Sequence, residues 1–208
     1  MKLVRTVLFA ASLLSLSGFA SADAPSGAVP AKLAATQAAE RDLWLGHIFW
    51  IREVARGVAE KDSKTADLAE KHVVANAKQI AGAIEPFYGK VATDQLFKLL
   101  AGHYTAIKAH ATASVAGDAA AAKTALGQLT SNANELAAFL SKANPNWPEA
   151  TLKSLLAAHG GHHVQQNQQL AAHDLAAEAR TWEAMKSHVY TIADALAGGI
   201  AKQFPDKF

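Results

Sequence analysis

The chain has 208 residues, a formal charge of +2, half its residues hydrophobic and no cysteine. Without cysteine there are no disulfides, thiolate metal sites, iron–sulfur clusters or covalently attached c-type haem. The basic residues form no run with interleaved aromatics of the kind a phosphate backbone attracts, so nucleic acid is not an expected partner.

Lys2 and Arg5 precede an apolar run from Thr6 to about Phe19, and Ala20-Ser21-Ala22 follows with small residues suited to a signal peptidase. This pattern predicts a secretory signal peptide over 1–22, its apolar run being too short to read as a spanning helix. The expected location is periplasmic or secreted after cleavage near Ala22, with no integral membrane segment thereafter. Setting Lys2 and Arg5 aside leaves 18 Lys+Arg against 18 Asp+Glu. Residues 23–31 carry Pro25, Ser26, Gly27 and Pro30 and read as a flexible leader to a single domain over 32–208.

Beyond the leader, Ala, Leu, Gln, Glu and Lys dominate, β-branched runs are absent, and helix propensity is high. Punctuation divides this stretch into six helices. The first covers about 32–60 and stops before Asp62-Ser63, which caps the second at about 63–86. Pro86-Phe87-Tyr88-Gly89 ends the second, and Thr93 or Asp94 starts the third at about 93–116. Gly117-Asp118 is a stop followed by a cap for the fourth, 118–142. Asn144-Pro145-Asn146-Trp147-Pro148 breaks the chain before the fifth, 148–171, with Pro148 at a first helical position. His173-Asp174 opens the sixth, which runs to about 203. The fold class is all-α: an up-and-down bundle of about six helices.

The apolar stripes contain histidines. Trp44, His47, Ile48, Ile51 and Val58 share one face. So do Leu96, Leu99, Leu100, His103, Ile107 and His110, and likewise Leu152, Leu155, Leu156 and His159. Sliding the sequence along itself explains the recurrence. Leu43-Trp44-Leu45-Gly46-His47 aligns with Leu99-Leu100-Ala101-Gly102-His103 and then with Leu155-Leu156-Ala157-Ala158-His159, each step being 56 residues without a gap. Asn76, Asn132 and His188 align at the same offset. The bundle therefore reads as three tandem 56-residue helical hairpins.

Six inward polar positions (His47, Asn76, His103, Asn132, His159 and His188) must be mutually hydrogen-bonded, hydrated or coordinated, because an unpaired buried polar group costs about 1–3 kcal/mol. One reading is an extracytoplasmic metal-binding protein. His47, His103, His159 and His188 would be the ligands for Zn, Cu(II), Ni or Fe, with Asn76 and Asn132 orienting them. His110 and His163 are accessory candidates: His110 lies two turns after His103, and His162 and His163 follow His159 by three and four residues. Trp44 and Trp50 flank His47 as W-x-x-H-x-x-W and either pack the core or cage a ligand ring. Two further readings stay open. A His–Asn hydrogen-bond network could fix helix register in a structural or stress-related bundle acting through protein partners. Alternatively the interior could carry haem or a small aromatic ligand. His72 and His173 read as surface residues. A ferritin-like di-iron site fails on ligand type, since no Glu-x-x-His occurs. There is neither G-x-S-x-G nor a thiol, and the balance leans against an enzyme.

The segments Trp44-Leu45-Gly46-His47-Ile48-Phe49-Trp50, Pro86-Phe87-Tyr88-Gly89-Lys90, Asn144-Pro145-Asn146-Trp147-Pro148 and Lys202-Gln203-Phe204-Pro205 together resemble a bacterial family of exported helical-bundle proteins. The similarity spans nearly all of 23–208. It implies the helical fold and no particular activity, and the glycosyltransferase label attached to some members has no matching nucleotide-sugar pattern in this chain.

Overall fold

The computed structural model describes residues 29–208; the expected signal peptide and residues 23–28 of the leader lie outside them. Among the described residues six helices follow one another: α1 (Ala31–Ala59), α2 (Ser63–Ala83), α3 (Glu85–Ala116), α4 (Ala119–Ala143), α5 (Glu149–Ala171) and α6 (Leu175–Gln203). A short 3-10 turn follows at Pro205–Lys207, and no strand occurs. None of these helices is long and apolar enough to cross a membrane.

The hairpin turns show why the chain reverses where it does. Lys61, Gly117 and His173, spaced by 56, all have left-handed φ, at 57°, 67° and 56°. Each is followed by an aspartate whose backbone N–H reaches back to Gly57, Ala113 or Gln169, closing the last turn of the preceding helix. The same aspartates then cap the next helix. Asp62 accepts from the backbone of Lys64 and Thr65, Asp118 from Ala121, and Asp174 from Ala177. One residue in αL and one capping carboxylate thus set all three reversals.

The link between α2 and α3 departs from the expectation of a long break at 86–89. Helix α2 ends at Ala83, Ile84 follows as its cap, and Glu85 to Tyr88 already form a helical turn with Pro86 near its start. The break is confined to Gly89, at φ 77° and ψ 173°. Proline is tolerated in a first turn because the N–H it lacks has no partner there. The glycine carries the non-helical φ that lets α3 continue at a new angle.

Helices α1, α3 and α5 touch one another and form an inner triad. The other three fill the outer seams: α2 between α1 and α3, α4 between α3 and α5, and α6 between α5 and α1. Short connections make each outer helix antiparallel to its neighbours, so the inner three run parallel. One apolar cluster, including Ile80, Leu96, Leu100, Leu136, Leu156 and Ile200, fills the end of the bundle where the inner helices begin. A second, including Ile51, Val54, Val73, Ile107 and Leu129, fills the other end. Trp147, 4% exposed, plugs the first end, its indole N–H donating to the Ala195 carbonyl over 3.2 Å. A histidine layer separates the two clusters.

Candidate metal centre

Three parallel inner helices carrying a histidine at the same repeat position must present those histidines at one height. His47 of α1, His103 of α3 and His159 of α5 do so. Their ring centroids are 5.9 Å (His47–His103), 5.5 Å (His47–His159) and 5.5 Å (His103–His159) apart, close to an equilateral triangle. A fourth imidazole, His163, sits over this triangle. Its centroid is 6.0, 5.9 and 4.6 Å from those of His47, His103 and His159. All four side chains are at most 3% exposed, and each offers a nitrogen within 4.8 Å of those of the other three.

The fourth vertex comes from a departure in the third hairpin. His163 stands where the first two hairpins have Ile51 and Ile107, both core residues at 1% and 2% exposure. It lies one turn after His159, so its ring meets the triangle from the C-terminal side of α5. The Nε2 atoms of His159 and His163 are 3.3 Å apart. Tetrahedral coordination with metal–nitrogen bonds of about 2.0–2.1 Å places ligand nitrogens about 3.4 Å apart, so this pair already has the spacing of one edge. Even a regular tetrahedron with 4.8 Å edges needs its vertices to move inward by only about 1 Å to reach that bond length.

Among the described residues the cluster is polar, buried and underbonded: both ring nitrogens of His47 and His103, and Nδ1 of His159, are buried without a hydrogen-bond partner. Burial lowers the pKa of His47 to about 3, with repulsion from His103 adding to it. Burial also lowers His103 to about 4, the neighbouring Asn132 opposing the shift. His159 and His163 are held well below the ordinary histidine value, by burial first and by the neighbouring imidazoles second. The four rings are therefore neutral at physiological pH, with lone pairs available to a cation.

His188, expected as a ligand alongside His47, His103 and His159, lies outside the group. It sits on the outer helix α6, half-buried, with Nε2 donating to the Leu155 carbonyl over 2.9 Å. Asn76 and Asn132 make the same bond: their Nδ2 atoms donate to the Leu43 and Leu99 carbonyls, each over 2.9 Å. The outer-helix polar positions thus pin the backs of the inner helices, one turn before each histidine of the triangle. Gly46 and Gly102 permit that approach, since a Cβ there would lie 3.1 and 3.2 Å from the asparagine nitrogens. The third hairpin has Ala158 at this place and the longer-reaching His188 opposite. The Oδ1 atoms of Asn76 and Asn132 remain buried and unpartnered, available to orient a ring N–H of the adjacent histidine.

The other candidates fall around the cluster. Trp44 lies under the triangle with its edge to His47 and His159, at 5.6 and 6.0 Å between centroids. Trp50 turns outward and stacks on His72 at 4.0 Å, lining an open surface groove. His110 is buried away from the four, where Asn167 Nδ2 donates towards its Nδ1 (3.2 Å) and to the Ile107 carbonyl (3.1 Å). His162 pairs loosely with His188, at 5.6 Å, outside the cluster.

On the His163 side a charged network that sequence reasoning missed closes the centre. Arg52 forks onto Glu178 with two bonds of 2.6 Å, and Gln166 donates to the same carboxylate at 3.0 Å. Comparing equivalent positions of the three hairpins, in place of seeking the residues that repeat, would have exposed both His163 and this network. Glu178 stands where the other hairpins have Ala66 and Ala122. No family model, curated protein or solved structure matches this chain.

Proposed function

We propose that the protein is an extracytoplasmic transition-metal-binding protein that holds one divalent ion through His47, His103, His159 and His163. The observation that carries this reading is the convergence of four fully buried imidazoles, five of whose ring nitrogens have no partner. Leaving such groups unbonded costs about 1–3 kcal/mol each, and a metal ion would satisfy several at once. The set is all nitrogen and tetrahedral in outline, which favours Zn(II) over the tetragonal preference of Cu(II) and Ni(II) or the octahedral sites of Mg and Mn. Four protein ligands would fill a tetrahedral shell, leaving no position for substrate, so the site fits holding or buffering an ion better than catalysis.

A register-fixing network without metal is less well supported, because the histidines pair with so little of what surrounds them. A haem or aromatic-ligand carrier lacks room in the interior: the cavity beside the cluster measures about 40 Å³, against about 300–1,000 Å³ for the pockets that hold such ligands. The reading is tested by metal analysis of the untagged protein and by Co(II) titration. A bound ion near one per chain, or the intense visible absorption of tetrahedral Co(II), supports it. At 100 times the Kd, zinc should add about 2.7 kcal/mol of stability, which is roughly 5–10 °C in Tm for a chain of this size. A protein purified metal-free, spectrally silent with Co(II) and unmoved in Tm by Zn, Cu, Ni or Fe would end the proposal.

A further inference from the structure

Glu40 of α1 is only 7% exposed. In the other two hairpins its position holds Leu96 and Leu152, core residues at 5% and 4% exposure. The first hairpin therefore has a carboxyl group where the repeat calls for leucine. With Trp44, one turn further on, Glu40 lines the cavity of about 40 Å³. Everything else around that cavity, from α2 to α6 and their connections, is Leu, Ile or Trp147, so among the described residues no other titratable or charged group faces it. Arg41, next to Glu40 in sequence, is committed to Asp194 through two hydrogen bonds of 2.8 and 2.5 Å. A buried carboxyl without an ion pair favours its neutral form. Burial accordingly pushes Glu40 up to about 7, the Trp44 indole opposing the shift.

The cavity has a definite place relative to the histidines. Trp44, Leu100 and Leu156, which line it, precede His47, His103 and His159 by three residues each. It therefore lies on the axis of the inner triad, under the histidine triangle and on the side opposite His163. Glu40 precedes His47 by two turns, about 10 Å along the helix.

Four neutral imidazoles bring no negative charge, so a divalent ion among them leaves two positive charges in a low-dielectric interior. Two buried glutamates are recorded among the described residues. Glu178, on the His163 side, is already neutralised by Arg52. Glu40 is uncommitted.

We propose that Glu40 supplies the countercharge for the ion held by the four histidines, so that metal binding expels the Glu40 proton to solvent and metal affinity becomes coupled to pH. The inference rests on the metal reading above. The balance is simple: a divalent ion enters, the Glu40 carboxyl becomes a carboxylate, and one proton leaves. A proton that the native chain releases on binding the ion, and that a chain lacking the carboxyl does not release, belongs to Glu40.

The test is calorimetric titration of Zn(II) into the metal-free full chain at pH 6, in two buffers of different ionisation enthalpy. Glu40→Gln and Glu40→Leu are compared with the native chain, and Co(II) absorption verifies the site in each. Glu40→Leu restores the residue of the other two hairpins and so protects against a variant that fails to fold. The native chain should release close to one proton more than either variant, and its affinity should rise up to tenfold per pH unit between pH 6 and 7, where circular dichroism verifies that the metal-free chain is folded. The variants should bind with little dependence on pH over that range. Equal proton counts in all three, with Co(II) bound, would overturn the role of Glu40 and leave the metal site standing. Failure of the native chain to bind Co(II) or Zn(II) would overturn both.

Discussion

The two sides of the histidine triangle differ in kind. On one side Trp44, Leu100 and Leu156 form an apolar floor above a small cavity in which Glu40 is the lone ionisable group. On the other, beyond His163, Arg52, Glu178 and Gln166 are joined by hydrogen bonds into a polar cap, and Asn167 donates towards His110. Both arise where one hairpin abandons the pattern shared by the other two. Positions 51, 107 and 163 read Ile, Ile, His; positions 55, 111 and 167 read Ala, Ala, Asn; positions 40, 96 and 152 read Glu, Leu, Leu. The repeated residues build the scaffold and three equal vertices. A three-fold arrangement of single histidines cannot supply a fourth, so the tetrahedral set depends on the exception. Burying polar groups at the exceptions costs stability, and they lie on both sides of the histidine layer, Glu40 two turns before His47 and Asn167 about two turns after His159.

The comparison can be broken most severely with acid. His47 and His103 have folded pKa values below the unfolded 6.5, at about 3 and 4. As pH falls below 6.5 the unfolded chain takes up protons that the folded one refuses, so stability is full above 6.5 and lost towards pH 4. These two residues alone should remove on the order of 6 kcal/mol by pH 4, comparable with the whole stability of a typical domain. Circular dichroism at 222 nm should show cooperative loss of helix in that window, shifted to lower pH when zinc is present. A signal unchanged down to pH 4 would mean that the histidine layer is hydrated.

Next in size is the polar cap. Glu178→Ala strands the Arg52 guanidinium against the buried Gln166 and should cost about 3–5 kcal/mol. A fall in Tm of less than about 3 °C would show that water replaces the carboxylate freely. Replacing the exception by the rule, His163→Ile, should lower zinc affinity at least about 100-fold, beyond the usual effect of losing a residue that merely orients a ligand. Because Ile51 and Ile107 pack the same place elsewhere, the metal-free variant should melt no lower than the native chain. Undiminished Co(II) binding by this variant would remove His163 from the ligand set.

The smallest effect probes the scaffold. Gly102→Ala places a Cβ about 3.2 Å from Asn132 Nδ2 and should cost about 1 kcal/mol by straining the bond to the Leu99 carbonyl. Combining it with Asn132→His, which imitates the Ala158–His188 pair of the third hairpin, should recover most of that loss in a thermal melt.

Much of this was legible in the chain. Apolar spacing and the Asp62, Asp118 and Asp174 caps identify six helices and their reversals, because local hydrogen bonding and propensity determine both. The 56-residue period identifies His47, His103 and His159 as equivalent, and equivalent positions on parallel helices must share a height. The start of α3 was less legible. Pro86 and Gly89 read together as a stop, whereas proline fits a first helical turn and glycine alone carries the break.

By itself, then, the sequence determined the helices, the hairpin repeat and three corners of the site, through interactions within one or two turns. Only the tertiary structure decided the fourth corner. His163 and His188 both lie at helical spacing on apolar stripes, and nothing local separates them. The closing of α1, α3 and α5 into an inner triad turns His163 to the axis and leaves His188 on an outer helix, bonded to a carbonyl. The same closure buries Glu40 beneath the triangle, since the inside of a ring of helices exists only once every helix is in place.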